Sequence, residues 1–148
     1  MGQLIDGNLV SQKVKLRIRD EVSDLVNSGI QPCLATILVG DNQASATYVK
    51  NKQTAANIAG ILTRDFRLSK DVSQNELVSI IEELNHDDKV HGILVQLPLQ
   101  PQIETSITNR VNPEKDVDGL TSHNLGLLLK GVPKLVPCTP LGLSLIHI

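Results

Sequence analysis

Three side chains of one predicted helix have the types and the spacing needed for chemistry on a bound ligand. On a helical wheel of about 100° per residue, Ser45, Tyr48 and Lys52 fall on the same side as Val49, Ala56 and Ala59. The opposite, polar side carries Thr47, Lys50, Asn51, Thr54 and Asn57, with Ile58 as the exception among them. A lysine on a buried face loses hydration, which favours the neutral form that can accept a proton. Two interpretations stay open. Lys52 transfers protons in a cleft where the Tyr48 ring stacks on a ligand, or Lys52 extends past the alanines to water and Tyr48 packs in the core.

Polar side chains also occur at two later places in the chain. Gln96 interrupts an apolar segment just before Pro98, and a buried amide there needs hydrogen-bond partners. Those partners are either the neighbouring backbone or Lys52. The segment NPEKDVDG contains Asp116 and Asp118, which are either solvated turn residues or a carboxylate site. A carboxylate can bind the donor edge of an aminopyrimidine ring through paired hydrogen bonds.

The elements that must position these residues alternate between strand and helix patterns. Near-continuous apolar runs predict buried strands at residues 33–39 and 90–97, and residues 62–68 resemble a further strand. We expect an α/β protein, a three-layer αβα-type domain with a largely parallel sheet, which binds ligands beyond the carboxyl ends of its strands. The remaining predictions are a short opening element at 4–7, a turn at 40–42 followed by a helix that Gly60 closes, and helices at 9–27, 73–86, 103–111 and 124–130. A loop is predicted at 112–119 and an irregular connection at 131–140. The helix at 9–27 has apolar periodicity through Val10, Val14, Ile18, Val22 and Leu25.

Composition excludes several classes of protein. The chain has 148 residues, a hydrophobic fraction of 41% and a charged fraction of 20%, which are typical of one globular domain rather than of a disordered chain. A net charge of −2 gives no basic surface for nucleic acid. Because Tyr48 and Phe66 are the only aromatic residues, the core must be aliphatic.

Cysteine and histidine usage predicts neither a disulfide nor a metal site. Cys33 and Cys138 lie far apart beside prolines, and the histidines show no metal-ligand spacing. The N-terminal sequence lacks the features of a secretory signal, and no apolar run is long enough to span a membrane. We therefore expect a cytoplasmic protein with reduced cysteines and no membrane partner.

Four segments resemble, in this order, the bifunctional methylenetetrahydrofolate dehydrogenase/methenyltetrahydrofolate cyclohydrolase family (FolD type). They are VGDNQASATYVKNKQTAANIAGI, GILVQLPLQP, NPEKDVDGLTSHNLGLL and PCTPLG. The resemblance extends to about Gly142, and four ordered motifs are far more specific than any one of them.

This resemblance implies an enzyme that oxidises 5,10-methylenetetrahydrofolate with NADP and hydrolyses the methenyl product to 10-formyltetrahydrofolate. Lys52 matches the family's catalytic lysine, and Gln96 matches the glutamine that assists it. Tyr48 matches the tyrosine that packs on the folate, and Asp118 the aspartate that holds the pterin ring. Ser45 matches a serine beside the site whose role is less defined. The resemblance also implies a homodimer at full length and a place in one-carbon metabolism that serves purine biosynthesis.

The end of the sequence departs from the family pattern. We expect residues 1–142 to form the folate-binding catalytic domain and residues 143–148 to be an aberrant or truncated tail, whose Leu143, Leu145 and Ile146 promote association. The NADP-binding Rossmann domain is expected to be absent, because no glycine-rich phosphate loop follows a strand. Three functions stay open: a folate enzyme, a folate-binding module without turnover, and a structural or oligomerising α/β domain.

Overall fold

The structure is built on a parallel sheet of three short strands, against which helices pack. The computed structural model describes residues 6–103 and 105–144. For residues 105, 143 and 144 it describes the backbone and not the side chain. The strand order in the sheet is β2-β1-β3. In chain order the elements are α1 (Gly7–Asn27), β1 (Cys33–Val39), α2 (Gln43–Ile58), β2 (Leu62–Leu68), α3 (Gln74–His86), β3 (Gly92–Val95), a 3-10 helix (Thr105–Arg110), α4 (Ser122–Leu129) and α5 (Cys138–Ser144).

Strand β1 is central because its residues are apolar on both faces. Ala35 and Ile37 are fully buried, and the strand pairs in parallel with β2 on one side and β3 on the other. Strand β2 carries Arg64, Asp65 and Arg67, charges that suit a sheet edge because they discourage pairing with another chain. The predicted strands at 33–39 and 62–68 are confirmed with these boundaries.

Helices cover both faces of the sheet, so the predicted three-layer α/β architecture is confirmed. Ala35, Ile37 and Val39 pack on one face into a core that includes Leu77 and Ile81 of α3. Alternation along a strand turns the next residues to the opposite face. There the hydroxyl of Thr36 accepts a hydrogen bond of 3.1 Å from Gln53 Nε2 of α2. The other residues of the core are Val72, Leu84, Val90, Ile93, Val95, Ile103, Ile107 and Val111.

Strand β3 is shorter than the predicted span of residues 90–97. Its regular part is Gly92–Val95, although backbone bonds to β1 extend from His91 N to Gln96 N. On its outer side β3 pairs only through a bridge between Ile93 and Asp116 in the described chain. Beyond Gln96 the cis Leu97–Pro98 peptide follows, and proline has no N–H with which to continue the ladder.

Three helical predictions need correction. The segment predicted as a helix at 103–111 is a 3-10 helix, and α4 begins two residues earlier than predicted because Thr121 caps it. The proline-punctuated connection ends in α5, which the prediction omitted. Pro140 lies in the first turn of α5, where the backbone N–H groups need no helical partner, so proline is tolerated there.

Helix α1 confirms the predicted helix but not its burial. Asp6 caps it by accepting hydrogen bonds from Asn8 N and Leu9 N at 3.0 and 3.2 Å. Of the apolar residues that give this helix its periodicity, Val22 is buried, whereas Val10, Val14 and Leu25 are each more than 40% exposed. Among the described helices, none has the length and apolar character needed to cross a membrane. Residues 4 and 5 of the predicted opening element lie outside the described residues, as do the side chains of Leu143, Leu145 and Ile146.

Candidate active site

Helix α2 begins at the carboxyl end of β1 through a turn that local residues determine. Gly40 has a φ of 77°, which a residue with a side chain rarely adopts. A Cβ atom at this position would lie 2.7 Å from the side-chain nitrogen of Gln100. Asn42 then caps the helix by accepting a hydrogen bond of 2.9 Å from Ser45 N. This turn places the α2 residues beside the ligand-binding edge of the sheet.

The three α2 side chains selected from the sequence differ in exposure. Ser45 is 4% exposed and Tyr48 is 62% exposed, while the Lys52 side chain is 39% exposed. The interpretation of Tyr48 as a core residue is therefore wrong, because no described element covers its ring. The exposed ring remains available for stacking. The predicted polar side of the helix is confirmed, since all five of its residues are exposed: Thr47, Lys50, Asn51, Thr54 and Asn57.

Lys52 forms an ion pair with Asp118, the carboxylate selected from the KDVDG motif. The distance from Lys52 Nζ to Asp118 Oδ1 is 3.7 Å, and the Asp118 side chain is 29% exposed. Both residues line an open cleft of about 490 Å³. Its other lining residues are Leu120, Leu125, Pro137, Cys138, Thr139 and Pro140. The structure thus brings an amine and a carboxylate into one cavity.

The loop that carries Asp118 is packed closely between β3 and the segment before α5. Ile93 N donates to Lys115 O at 2.7 Å, which holds the loop along β3. Gly119 has a φ of 63°, and a Cβ atom there would lie 3.0–3.1 Å from backbone atoms of residues 135–137. Only glycine allows this close approach of two backbone segments. The loop conformation therefore fixes where the Asp118 side chain can point.

Gln96 lies at the same edge of the sheet but bonds the backbone. Its side-chain nitrogen donates to Leu97 O at 2.7 Å. Its side-chain oxygen is buried without a hydrogen-bond partner among the described residues. Of the two partners expected from the sequence, the Gln96 side-chain nitrogen therefore bonds the neighbouring backbone rather than Lys52.

Tyr48, Lys52 and Gln96, which one interpretation of the sequence groups around a ligand, do not all line the cavity described above. In the described part of the chain, the lining of that cavity includes Lys52 but neither Tyr48 nor Gln96. A second cleft of about 720 Å³ begins on the other side of Leu120 and includes Leu97 and Pro98. Whether Gln96 and Tyr48 touch the same ligand as Lys52 stays a prediction.

Sequence reasoning missed several residues that shape the site. Leu120 and Leu125 line the cleft, yet nothing in their type indicates a ligand. Cys138 lines it too, and its only signal was the PCTPLG motif. Asp116, left as a possible surface residue, is 5% exposed and accepts hydrogen bonds from Leu120 N and Thr121 N. Asp116 therefore stabilises the turn that follows it.

The marked electrostatic perturbations lie at the opposite, amino edge of the sheet. The backbone N–H of Lys89 and then the Arg64 guanidinium hold the pKa of Asp87 below its ordinary value. The hydrogen bond to Asp87 raises the pKa of Arg64, and burial raises the pKa of the Cys33 thiol. A cavity of about 570 Å³ lies beside Cys33 and Arg64. Ligands of parallel sheets bind at the carboxyl edge, so we place the candidate site at Lys52 and Asp118.

No cluster of three or more potential metal ligands of the histidine, cysteine, aspartate or glutamate type occurs in residues 6–103 and 105–144. In the cleft, Lys52 and Asp118 can provide proton transfer and hydrogen bonding.

Comparison with known proteins now identifies the family. A family model described as "Tetrahydrofolate dehydrogenase/cyclohydrolase, catalytic domain" matches residues 5–118. The chain belongs to this family. The match covers the segments that contain Tyr48, Lys52, Gln96 and Asp118, so the resemblance found in the sequence is confirmed.

Individual relatives agree with this assignment. The chain is 56% identical over 142 residues to the bifunctional protein FolD of Nitrosopumilus maritimus, covering 95% of this chain and 50% of the relative. It is 49% identical over 140 residues to the FolD protein of Cenarchaeum symbiosum, covering 94% and 50%. The chain spans about half the length of the curated relatives it matches.

Solved structures show the same relationship. The bifunctional FolD methylenetetrahydrofolate dehydrogenase/cyclohydrolase of Campylobacter jejuni superposes with a TM-score of 0.93 at 46% identity, covering 96% of this chain and 51% of that one. The Trypanosoma brucei methylenetetrahydrofolate dehydrogenase-cyclohydrolase, complexed with NADP cofactor and inhibitor, gives a TM-score of 0.92 at 33% identity, covering 98% and 50%.

Proposed function

We propose that this chain supplies the folate-binding catalytic half of an enzyme of one-carbon metabolism. The substrate is 5,10-methylenetetrahydrofolate, which is oxidised to the methenyl form and then hydrolysed to 10-formyltetrahydrofolate. The observation that carries the proposal is the Lys52–Asp118 pair in a cleft at the carboxyl edge of the sheet. This pair places an amine and a carboxylate 3.7 Å apart beside the cleft in which the folate is proposed to bind.

In the proposed hydrolysis, Lys52 relays a proton from the water that attacks the methenyl carbon. The adduct then loses its hydroxyl proton as the carbonyl of the formyl group forms, and the bond between the carbon and N5 breaks. N5 takes a proton from Lys52, the formyl group stays on N10, and one proton is released to solvent overall. Proton transfer of this kind requires the amine within hydrogen-bond reach of the water. Gln96 assists by orienting Lys52 or the water with its unpartnered side-chain oxygen, which is buried at the same edge.

Two further residues hold the substrate in this proposal. The Asp118 carboxylate accepts paired hydrogen bonds from the donor edge of the pterin ring, and the exposed Tyr48 ring stacks on the folate. Ser45 is buried at the start of α2, where it supports the turn that presents these side chains.

The described residues do not fit a dinucleotide. A pyrophosphate needs free backbone N–H groups at a helix N-terminus after a strand. After β1, Asn42 already accepts the hydrogen bond from Ser45 N, and after β2, Ser73 accepts the one from Glu76 N. The NADP of the proposed oxidation is therefore bound by residues other than these. In that reaction the chain contributes the binding and orientation of the folate.

The assembly and location of the protein follow the family in this proposal. We place it in the cytoplasm, as a homodimer at full length, where its 10-formyl product serves biosynthesis such as that of purines. No partner other than the folate and its own second copy is required.

The test compares two lysines of the same helix in the complete protein product of the gene. Lys52→Met should reduce hydrolysis of 5,10-methenyltetrahydrofolate by about 10²–10⁴-fold, because the proton acceptor is lost. Lys50→Met is the matched control, since Lys50 lies on the exposed side of α2, and it should leave the rate unchanged. Hydrolysis retained in the Lys52 variant would remove Lys52 from the mechanism. Binding of the folate without turnover in the parent protein would favour the binding-module alternative, and absence of binding would favour a structural domain.

A further inference from the structure

A buried carboxylate lies only two residues before Asp118. Asp116 is 5% exposed, and its two oxygens accept three hydrogen bonds. Leu120 N donates at 3.2 Å, Thr121 N at 2.8 Å and the side-chain nitrogen of Asn124 at 2.9 Å. Hydrogen bonds to a charged acceptor are stronger than those between neutral groups. Asp116 thus closes the turn that contains Asp118 from the inside.

Asn124 connects this turn to the start of the same loop. Its side chain is 1% exposed, and its amide nitrogen donates to Pro113 O as well as to Asp116, both at 2.9 Å. Because both of its N–H groups are used, the orientation of the amide is determined. Its oxygen is buried without a hydrogen-bond partner among the described residues. An unsatisfied buried acceptor is unfavourable, so packing alone does not account for an amide at this position.

Asp118 lies at the tip of the turn that these bonds hold at both ends. Gly119 N donates to Asp116 O at 3.0 Å, and the Asp116 side chain accepts hydrogen bonds from Leu120 N and Thr121 N. Leu120, whose backbone is held in this way, also lines the cleft. The cleft side of the loop therefore has little freedom to move without breaking buried hydrogen bonds.

We propose that Asp116 and Asn124 are positioning residues, which we name the Asp116–Asn124 clamp. The clamp holds the Asp118 carboxylate in the orientation that faces Lys52 and receives the pterin ring. This inference rests on the proposed function, in which Asp118 binds the folate. Paired hydrogen bonds to a ring require a fixed carboxylate plane, so a loop freed from the clamp should bind the ring less tightly even though Asp118 itself is intact.

The test is a double-mutant cycle in the complete protein product of the gene. The dissociation constant of 5-formyltetrahydrofolate, a stable reduced folate, is measured by calorimetry. Asn124→Ala should weaken binding by about tenfold. In an Asp118→Ala background the same change should alter binding by less than about twofold, because the clamp then has no carboxylate to position.

Asn109→Ala is the matched control. The Asn109 side-chain oxygen accepts a hydrogen bond of 2.7 Å from Ser122 N at the start of α4, but it does not hold the turn around Asp118. This variant should change the dissociation constant by less than about twofold. Equal weakening by Asn124→Ala in both backgrounds would show a general structural effect and would overturn the proposal, as would unchanged binding in a folded Asn124→Ala protein.

Two further measurements keep the outcome decisive. If Asn124→Ala does not fold, Asp116→Asn enters the same cycle, because it keeps the shape of the side chain while replacing one acceptor oxygen by a donor. Amide exchange in the parent protein should show protected Leu120 and Thr121 N–H groups, and rapid exchange there would overturn the clamp itself. If Asp118→Ala leaves folate binding unchanged, the proposed function fails at that residue, whereas the exchange result still reports on the clamp.

Discussion

Replacing Gly119 by alanine tests whether the close contact beside Asp118 is as rigid as the structure indicates. The φ of 63° places this residue in the left-handed region, where a side chain costs about 1–2 kcal/mol. The added Cβ atom would also lie 3.0 Å from Pro137 N and Val136 C and 3.1 Å from Leu135 O. Backbone atoms cannot rotate away as a flexible side chain does. Overpacking of this kind adds about 1–3 kcal/mol, so the free energy of unfolding should fall by about 2–5 kcal/mol.

Gly131 provides the matched control for this substitution. Its φ is 75°, but a Cβ atom there meets no atom within 4 Å. Gly131→Ala should therefore lose only about 1–2 kcal/mol from the left-handed conformation. The difference between the two variants isolates the contact between Gly119 and residues 135–137.

The assay is equilibrium unfolding in urea, with the midpoint and slope compared among the parent protein and both variants. If the 135–137 segment or the Asp118 loop shifts to relieve the contact, Gly119→Ala should also weaken folate binding, because both segments line the cleft. A Gly119 variant no less stable than the Gly131 variant would refute the inference that these two backbone segments are tightly packed.

The remaining predictions concern the cofactor, acid stability and the cysteines. Calorimetry of residues 1–148 with NADP should show no saturable binding, and micromolar binding by a monomer would mean that the nucleotide site has been wrongly placed. Because the pKa of Asp87 is lower in the folded protein than its ordinary value of 3.8, its contribution to stability is present above that value and is lost as the pH falls through the folded-state pKa. Acid unfolding of Asp87→Asn should show a weaker pH dependence in that range, and an identical profile would contradict the ion-pair contribution. Iodoacetamide should modify the exposed Cys138 well before Cys33, since burial raises the pKa of Cys33 and limits access to it; equal rates by mass spectrometry would contradict this.

Local sequence patterns were sufficient to predict secondary structure where a residue's neighbours in the chain determine it. The apolar run of β1 predicts a strand buried on both faces, and the Ser73 hydroxyl accepting from Glu76 N confirms the predicted start of α3. The polar side of α2 was predicted for the same reason, because helical periodicity alone determines which residues share a side. Among the boundaries that shifted, β3 ends before Pro98, which has no N–H for the ladder, and α5 begins at Cys138, two residues before Pro140.

Exposure was harder to predict because it depends on which elements cover a helix. The wheel placed Tyr48 with the buried residues, yet the elements that contact α2 leave its ring 62% exposed. Helix α1 shows the same effect, since its apolar periodicity is correct but Val10 and Val14 are exposed. Asp116 and Asn124 were not predicted as partners because their hydrogen bond depends on the folded path of the loop between them. Lys52 was selected from the helical wheel and Asp118 from the NPEKDVDG segment, and only the fold places them in one cleft.

The meeting of Lys52 and Asp118 depends on the register of the sheet. Lys52 reaches the carboxyl edge on the helix that follows β1, whereas Asp118 lies two residues beyond Asp116, which pairs with Ile93 of β3. Strands β1 and β3 are neighbours, with Ala35 opposite Ile93. The helix that carries Lys52 and the loop that carries Asp118 therefore lie beside adjacent strands. A slip of one residue between β1 and β3 would move the Asp118 loop by roughly 3.3 Å, which is comparable to the 3.7 Å that separates the charged atoms. The fully buried Ile37 and Ile93 oppose such a slip, because it would turn their side chains away from the core. The aliphatic core thus fixes the geometry of the Lys52–Asp118 pair, although neither residue of the pair belongs to that core.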